Sequence, residues 1–209
     1  MLLDPANLSV GAMYNFLISF VVPRPIAFVS TVNLAGARNL APFSFFNAIS
    51  SEPPLVGVSI LERRDDPKDT LRNIRETGEF VVNLVNESLL DAMVETSADW
   101  PASADEFEIA KLAAAPSLKV RPPRVVASPV SMECRLHQEV PLGSAAFIVG
   151  EVLCVHLADE VLTDGRVDVA KLRPVARLGG EGYSVVREVL VAVLVKVTSA
   201  LGTAAWAGS

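Results

Sequence analysis

Arg38-Asn39-Leu40-Ala41-Pro42-Phe43-Ser44-Phe45-Phe46-Asn47-Ala48-Ile49-Ser50 mixes small polar groups with closely spaced aromatics, where a strand of a plain core would simply alternate. Read as a strand over 43–50, it puts Ser44, Phe46, Ala48 and Ser50 on one face and Phe43, Phe45, Asn47 and Ile49 on the other. Neither face is uniformly apolar. Small side chains let backbone N–H and C=O groups reach the edge of a flat ligand, and Asn47 adds both donors and an acceptor. Phe43 and Phe45 are read as core.

Outward from this stretch, Pro23-Arg24-Pro25 leads into an apolar strand over 26–32 that ends in the hydroxyls of Ser30 and Thr31. Asn33-Leu34-Ala35-Gly36 supplies turn chemistry, which makes 26–50 a hairpin. Glu52-Pro53-Pro54 breaks the chain before a strand over 55–61. Asp66 as a cap, Pro67 at the first helical position, Leu71 and Ile74 on one face and Gly78 as a stop predict a helix. A strand over 80–85 follows. Helical spacing recurs at Leu89, Leu90, Met93 and Val94 and at Phe107, Ile109 and Leu112. Long strands over 130–140 and 146–157 are joined by Pro141-Leu142-Gly143-Ser144. Many strands, few inserted helices and no GxGxxG turn predict one mainly β domain over 1–209, a closed antiparallel barrel rather than a doubly wound sheet.

The chain has 209 residues, of which 51% are hydrophobic, enough for a sizeable core. Its formal charge of −6 argues against a nucleic-acid partner. Cys134 and Cys154 lie in apolar runs and read as buried small hydrophobes, which suits a reducing cytoplasm. The start lacks a signal-peptide pattern. The run Val189-Leu190-Val191-Ala192-Val193-Leu194-Val195 is far shorter than the roughly 20 residues of a membrane span; it reads as a buried strand or a subunit contact. His137 and His156 lack metal-ligand spacing, and no nucleophile elbow or Cys–base pair is present, so no metal and no protein nucleophile are expected.

Lys68 would stand in a first helical turn against the positive end of the macrodipole, an unfavourable position unless an anion is close. Either the cation is solvated and offset by Asp65, Asp66 and Asp69, or, with Thr70 and the helix N–H groups, it meets a phosphate.

Three segments, Arg24-Pro25 with Val29-Ser30-Thr31, Asn39 to Asn47, and Lys68-Asp69-Thr70, resemble the RPxxxVST, NLAPFSFFN and KDT elements of the flavin reductase-like family of FMN-binding split barrels. Arg177-Leu178-Gly179-Gly180-Glu181-Gly182-Tyr183 resembles its closing RLGGxxY element. The resemblance implies a Greek-key split β-barrel, a homodimer, and FMN as cofactor. It implies ring or ribityl contacts from Arg24, Pro25, Thr31, Ser44, Phe46, Asn47, Ala48 and Ser59, phosphate contacts from Lys68, Asp69 and Thr70, and Tyr183 covering the exposed ring face. NADH or NADPH would supply electrons, and a flavin, a redox partner protein or a small molecule would accept them. No protein residue is then catalytic. Where monooxygenase partners often carry a GDH-like turn, this chain reads Gly143-Ser144-Ala145, which favours a flavoredoxin-like protein that keeps its FMN. The alternatives are an electron carrier that does not oxidise NAD(P)H and a flavin-free barrel that acts as a binding module.

Overall fold

The computed structural model describes residues 1–62 and 67–191. After a 3-10 turn at Pro5–Asn7, helix α1 (Val10–Phe20) is capped by the Ser9 hydroxyl, which accepts from the Ala12 N–H. The strands are β1 (Arg24–Pro25), β2 (Ala27–Val32), β3 (Arg38–Phe43), β4 (Phe46–Ser51), β5 (Pro54–Leu61), β6 (Glu79–Leu84), β7 (Ala114–Ala115), β8 (Arg124–Val125), β9 (Val130–Leu142), β10 (Ala145–Leu157), β11 (Leu162–Thr163), β12 (Arg166–Val167), β13 (Val175–Arg177) and β14 (Tyr183–Val185). Between them lie α2 (Asp69–Thr77), α3 (Leu90–Glu95), α4 (Glu106–Ile109) and α5 (Val169–Leu172).

Seven strands form one antiparallel sheet in the order β3-β2-β6-β9-β10-β5-β4. Its two edge strands, β3 and β4, are consecutive in the chain. The predicted continuous strand over 43–50 is therefore broken. At Ser44–Phe45 the backbone bends out of one sheet edge and enters the other, and the Ser59 N–H donates to the Phe45 carbonyl at 2.8 Å. The barrel is closed by this bend rather than by a ladder between its edges.

β2 is buried along its whole length because it separates two cores. Ala27 and Val29 face the barrel interior with Val58, Ile60, Phe80, Val82 and Ile148, while Phe28 joins Leu40, Met93, Phe107 and Val125 outside it. Leu71 and Ile74 of α2 close one end of the interior. That helix begins two residues later than its sequence signals suggest: Lys68 is the N-cap residue and Asp69 opens the first turn, as the macrodipole prefers. Gly78 ends it with φ 69°, in the left-handed region. Asp65 and Asp66 lie outside the described residues.

The acidic helix α4 docks on β3. Buried Glu106 accepts the Leu40 N–H at 3.0 Å, and Arg38 pairs with Asp105 and Glu108. A carboxylate thus occupies a donor of the edge strand and blocks further pairing there. The run over 189–195 is not a buried strand where it is described: Val189, Leu190 and Val191 are exposed and outside any strand. Its remaining residues lie outside the described part.

β9 and β10 are joined by a tight turn at Gly143–Ser144 and change register twice. At the first shift, a Cβ on Gly150 would stand 2.3 Å from Cζ of the buried Phe80 ring, closer than such atoms approach. Overpacking of this kind costs about 1–3 kcal/mol. Gly150→Ala is expected to lower stability by that amount, read as a shifted urea midpoint at unchanged slope.

Candidate functional site

Four cavities meet around Pro42-Phe43-Ser44, just before the bend. The first, about 510 Å³, is lined mostly by apolar groups: Leu17 and Val21 at the end of α1, Pro23, Pro25, Phe45, Phe46, Gly57 and Phe147, with Arg24, Ser44, Asn47 and Ser59 as the polar members. A second, about 140 Å³, shares Ser44, Phe45 and Ser59 with it and reaches Lys68. A third, about 110 Å³, shares Pro42 and Lys68 and runs to Asn39, Thr70 and Trp100. The fourth, about 280 Å³, shares Pro42, Phe43 and Ser44 and is walled by Arg177 and Tyr183. The shared residues make a trough with an apolar broad end and a polar narrow end. A ligand with a flat head and an anionic tail has this shape, and the broad end falls within the roughly 300–1,000 Å³ typical of small-molecule sites.

At the narrow end, Lys68 Nζ lies 5.6 Å from the centre of the Phe43 ring, a cation–π distance. Behind it a buried polar network fixes the start of α2. The Asn39 amide donates to the Thr70 hydroxyl at 2.9 Å and to Thr31 at 3.2 Å, and the Asn73 amide donates to Thr31 at 3.0 Å. Because the Thr70 oxygen accepts from Asn39, its own O–H is directed elsewhere and can donate to an anion.

Thr31 itself is a correction. It shares the inward face of β2 with Val29, is fully buried, and accepts two amide N–H groups, so it braces the trough instead of lining it. Ser30, on the opposite face, donates to the Pro123 carbonyl.

Arg24 is only 5% exposed, and its guanidinium is consumed by the protein. It donates to the carbonyls of Ile18 at 2.7 Å, Val21 at 2.9 Å and Leu178 at 3.0 Å, and to the Ser44 hydroxyl at 3.3 Å. Set between two prolines and paired with Arg177 across β1 and β13, it ties α1, the closing loop and the bend together. Its expected direct contact with ring or phosphate is replaced by this bracing role, although its side chain still lines the broad end.

Pro25, Ser44, Phe46, Asn47 and Ser59 line the broad end together. Ala48 does not: it lies on exposed β4 and lines none of the four cavities. Phe45, read as core, is half-buried at the cavity wall with its ring 6.4 Å from that of Tyr14. Phe43 is buried and also faces two of the cavities. The Asp69 carboxylate binds Arg72 at 2.5 Å, which leaves its first-turn N–H as its route to an anion. Tyr183 stacks with Arg177, guanidinium to ring centre 4.5 Å, beside the bend.

Leu17, Val21, Gly57, Phe147, Trp100 and Glu106 also line the trough and were not anticipated. They come from four segments far apart in the chain, and only the isolated Trp100 carried a signal of its own. Glu106 shares the narrow end with Asp69 and Asp99, so three acids flank the Lys68 region. Burial pushes the Glu106 carboxyl upward from the usual range and Asp69 and Asp105 add to the shift, against the lowering effect of the Leu40 N–H. In the folded state Glu106 therefore holds its proton to higher pH than when unfolded. Stability attributable to this group falls as pH rises from the ordinary carboxylate range through the raised value. Glu106→Gln is expected to flatten that decline, read as urea midpoints for both proteins across this pH interval.

With this geometry in view, the class is that of the split-barrel flavoproteins, and the chain belongs to the flavin reductase like domain family, whose match spans residues 19–171. An uncharacterized protein of Halalkalibacterium halodurans is 42% identical over 190 residues, 88% of this chain and 91% of that one. Among solved structures, nitrilotriacetate monooxygenase component B from Bacillus cereus superposes with TM-score 0.89 at 34% identity, covering 92% of this chain and 98% of that one. The 2-nitrobenzoate 2-nitroreductase NbaA of Pseudomonas fluorescens follows with TM-score 0.87 at 29% identity, covering 97% and 100%. The flavoredoxin of Desulfovibrio vulgaris, at 21% identity and TM-score 0.71, shares the fold.

Proposed function

We propose that the chain is an FMN-dependent oxidoreductase that takes electrons from NADH or NADPH and delivers them to a flavin, a partner protein or a small molecule. One observation carries this reading: each of the four cavities touches Pro42 or Ser44, with Lys68 and Thr70 at the polar end and Phe45, Phe46 and Phe147 at the apolar end. Bound FMN would supply the hydride and electron transfer. The chain's part is to bind and orient. Lys68 and the first-turn N–H groups of α2 take the phosphate, Asn39 turns the Thr70 hydroxyl toward it, and Ser44, Asn47 and Ser59 offer hydrogen bonds to the ring edge. Arg24 holds the bend rigid, and no general base is required.

The similar structures support the same reaction class, since one is a monooxygenase component and another a nitroreductase. The higher similarity to these two than to flavoredoxin weighs against a carrier reading based on the Gly143-Ser144-Ala145 turn alone. Both cysteines are free, which suits a cytoplasmic protein, and among the described residues no helix is long and apolar enough to cross a membrane.

Anaerobic titration of the purified, FMN-loaded protein with NADH and then NADPH is expected to bleach the flavin absorbance with one of the two donors; no reduction by either would reject the nicotinamide step. Lys68→Ala is expected to weaken FMN binding by about 1.5–3 kcal/mol, the range of a lost charge-assisted contact, as read by fluorescence quenching on titration.

The homodimer is part of the same proposal. α1 contains no charged residue and buries none of its side chains: Val10 is 85% and Phe20 61% exposed. An uncharged apolar helix on a chain of net charge −6 is the surface on which a second copy can dock without charge repulsion. Phe20→Asp is expected to shift the mass measured by sedimentation toward the monomer.

A further inference from the structure

Away from the trough, three ligand-type side chains converge on the outer face of the β9–β10 hairpin. The second register shift of that hairpin, between Val152 and Cys154, sets Cys154 directly opposite Glu133, and His156 follows two residues on along the same face of the strand. A carboxylate oxygen of Glu133, the Cys154 sulfur and a His156 ring nitrogen all lie within 4.8 Å of one another. His156 Nε2 stands 2.5 Å from Glu133 Oε1 and 3.8 Å from Cys154 Sγ.

Which nitrogen does the touching separates two readings. In a nucleophile relay the acid and the thiol take opposite ring nitrogens, so that one orients the imidazole while the other gives up its proton. Here both face Nε2. Sulfur, nitrogen and oxygen are arranged around a common point, as ligands are. Donors on one tetrahedral zinc lie about 3.2–3.6 Å apart, given bonds of roughly 2.0–2.3 Å. The sulfur–nitrogen distance is already close to that, and the oxygen–nitrogen pair needs to open by less than about 1 Å once a cation replaces the proton between them.

The carboxylate is also braced as a ligand should be. The Glu133 side chain is fully buried, and its two oxygens accept the backbone N–H groups of Leu118 at 2.8 Å and Lys119 at 2.5 Å. Desolvation pushes its pKa up, but those N–H groups and His156 outweigh it and hold the carboxyl below its usual range, and thus ionised. His156 and Cys154 are half-buried, so the site opens to solvent on one side. Spacing along the chain missed this set because Glu133 lies on the neighbouring strand.

We propose that Glu133, Cys154 and His156 bind a divalent cation of the zinc class, with water as the fourth ligand and the segment around Leu118–Lys119 held over it. The mixed sulfur, nitrogen and oxygen donors suit zinc, and a thiolate, a carboxylate and a neutral imidazole balance its charge. Binding would release the thiol proton, and the imidazole would bind through Nε2 with its one N–H on Nδ1. None of the three residues lines the trough, so the site is independent of the flavin reading.

Untagged, chelator-treated full-length protein should take up one Co²⁺ per chain with a thiolate-to-metal charge-transfer band in difference spectra. Zn²⁺ should displace the cobalt and protect Cys154 from iodoacetamide, whereas Cys134, whose thiol burial pushes up to about 12, reacts slowly with or without metal. Cys154→Ser should abolish the band, and His156→Ala should weaken Zn²⁺ binding by at least about tenfold, the loss that even outer-sphere changes cause. Flavin content and far-ultraviolet circular dichroism should be unchanged in both variants. Absence of the band, equal alkylation of Cys154 with and without Zn²⁺, or undiminished Zn²⁺ affinity in folded His156→Ala would each overturn the site.

Discussion

The bend at Ser44–Phe45 is the constraint on which the molecule depends. It carries the chain from one edge of a seven-stranded sheet to the other, and two contacts hold it. The Phe45 carbonyl accepts the Ser59 N–H, and the Ser44 hydroxyl accepts Arg24 Nε. A sheet whose edges were joined by a regular ladder would have no gap there. Because the chain turns instead, backbone and small side chains face an opening, and the cavities gather at this point. Closure of the fold and creation of the site are the same event.

That opening is kept in shape by buried polar groups on either side. Arg24 spends its donors on three carbonyls and one hydroxyl, and Asn39, Thr31, Thr70 and Asn73 form a closed set beneath α2. Among the described residues, no buried side-chain polar atom lacks a partner. Such networks are costly when incomplete and rigid when complete. Their rigidity would suit a site that holds a bound group in one pose.

The acids around Lys68 set a limit on how tightly an anion can be held. Asp69, Asp99 and Glu106 share its cavity, and their field opposes a second negative charge. Asp69 is turned toward Arg72, so the repulsion is smaller than a count of carboxylates suggests.

Much of this was legible in the chain itself. The β2–β3 hairpin, the Gly78 stop and the long strands follow from local period and turn chemistry, which act over a few positions, whereas Pro25, Ser44, Phe46, Asn47 and Ser59 are singled out by the family resemblance. What lay out of reach depended on where an element ends and what covers it. Alternation marks Ser30 and Thr31 as facing opposite ways but cannot say that both faces of β2 are interior, so Thr31 was read as a contact and proved to be a brace. Ala48 has the right residue type on a strand that solvent reaches. Arg24 has the right charge, but the end of α1, the Leu178 loop and Ser44 fold over it and take four of its five donors. Glu133 and Cys154 are 21 positions apart and become neighbours only because a register shift aligns them. Short-range chemistry determined which elements form; long-range packing decided which of their faces see a ligand, because exposure is a property of neighbours brought together by the whole chain.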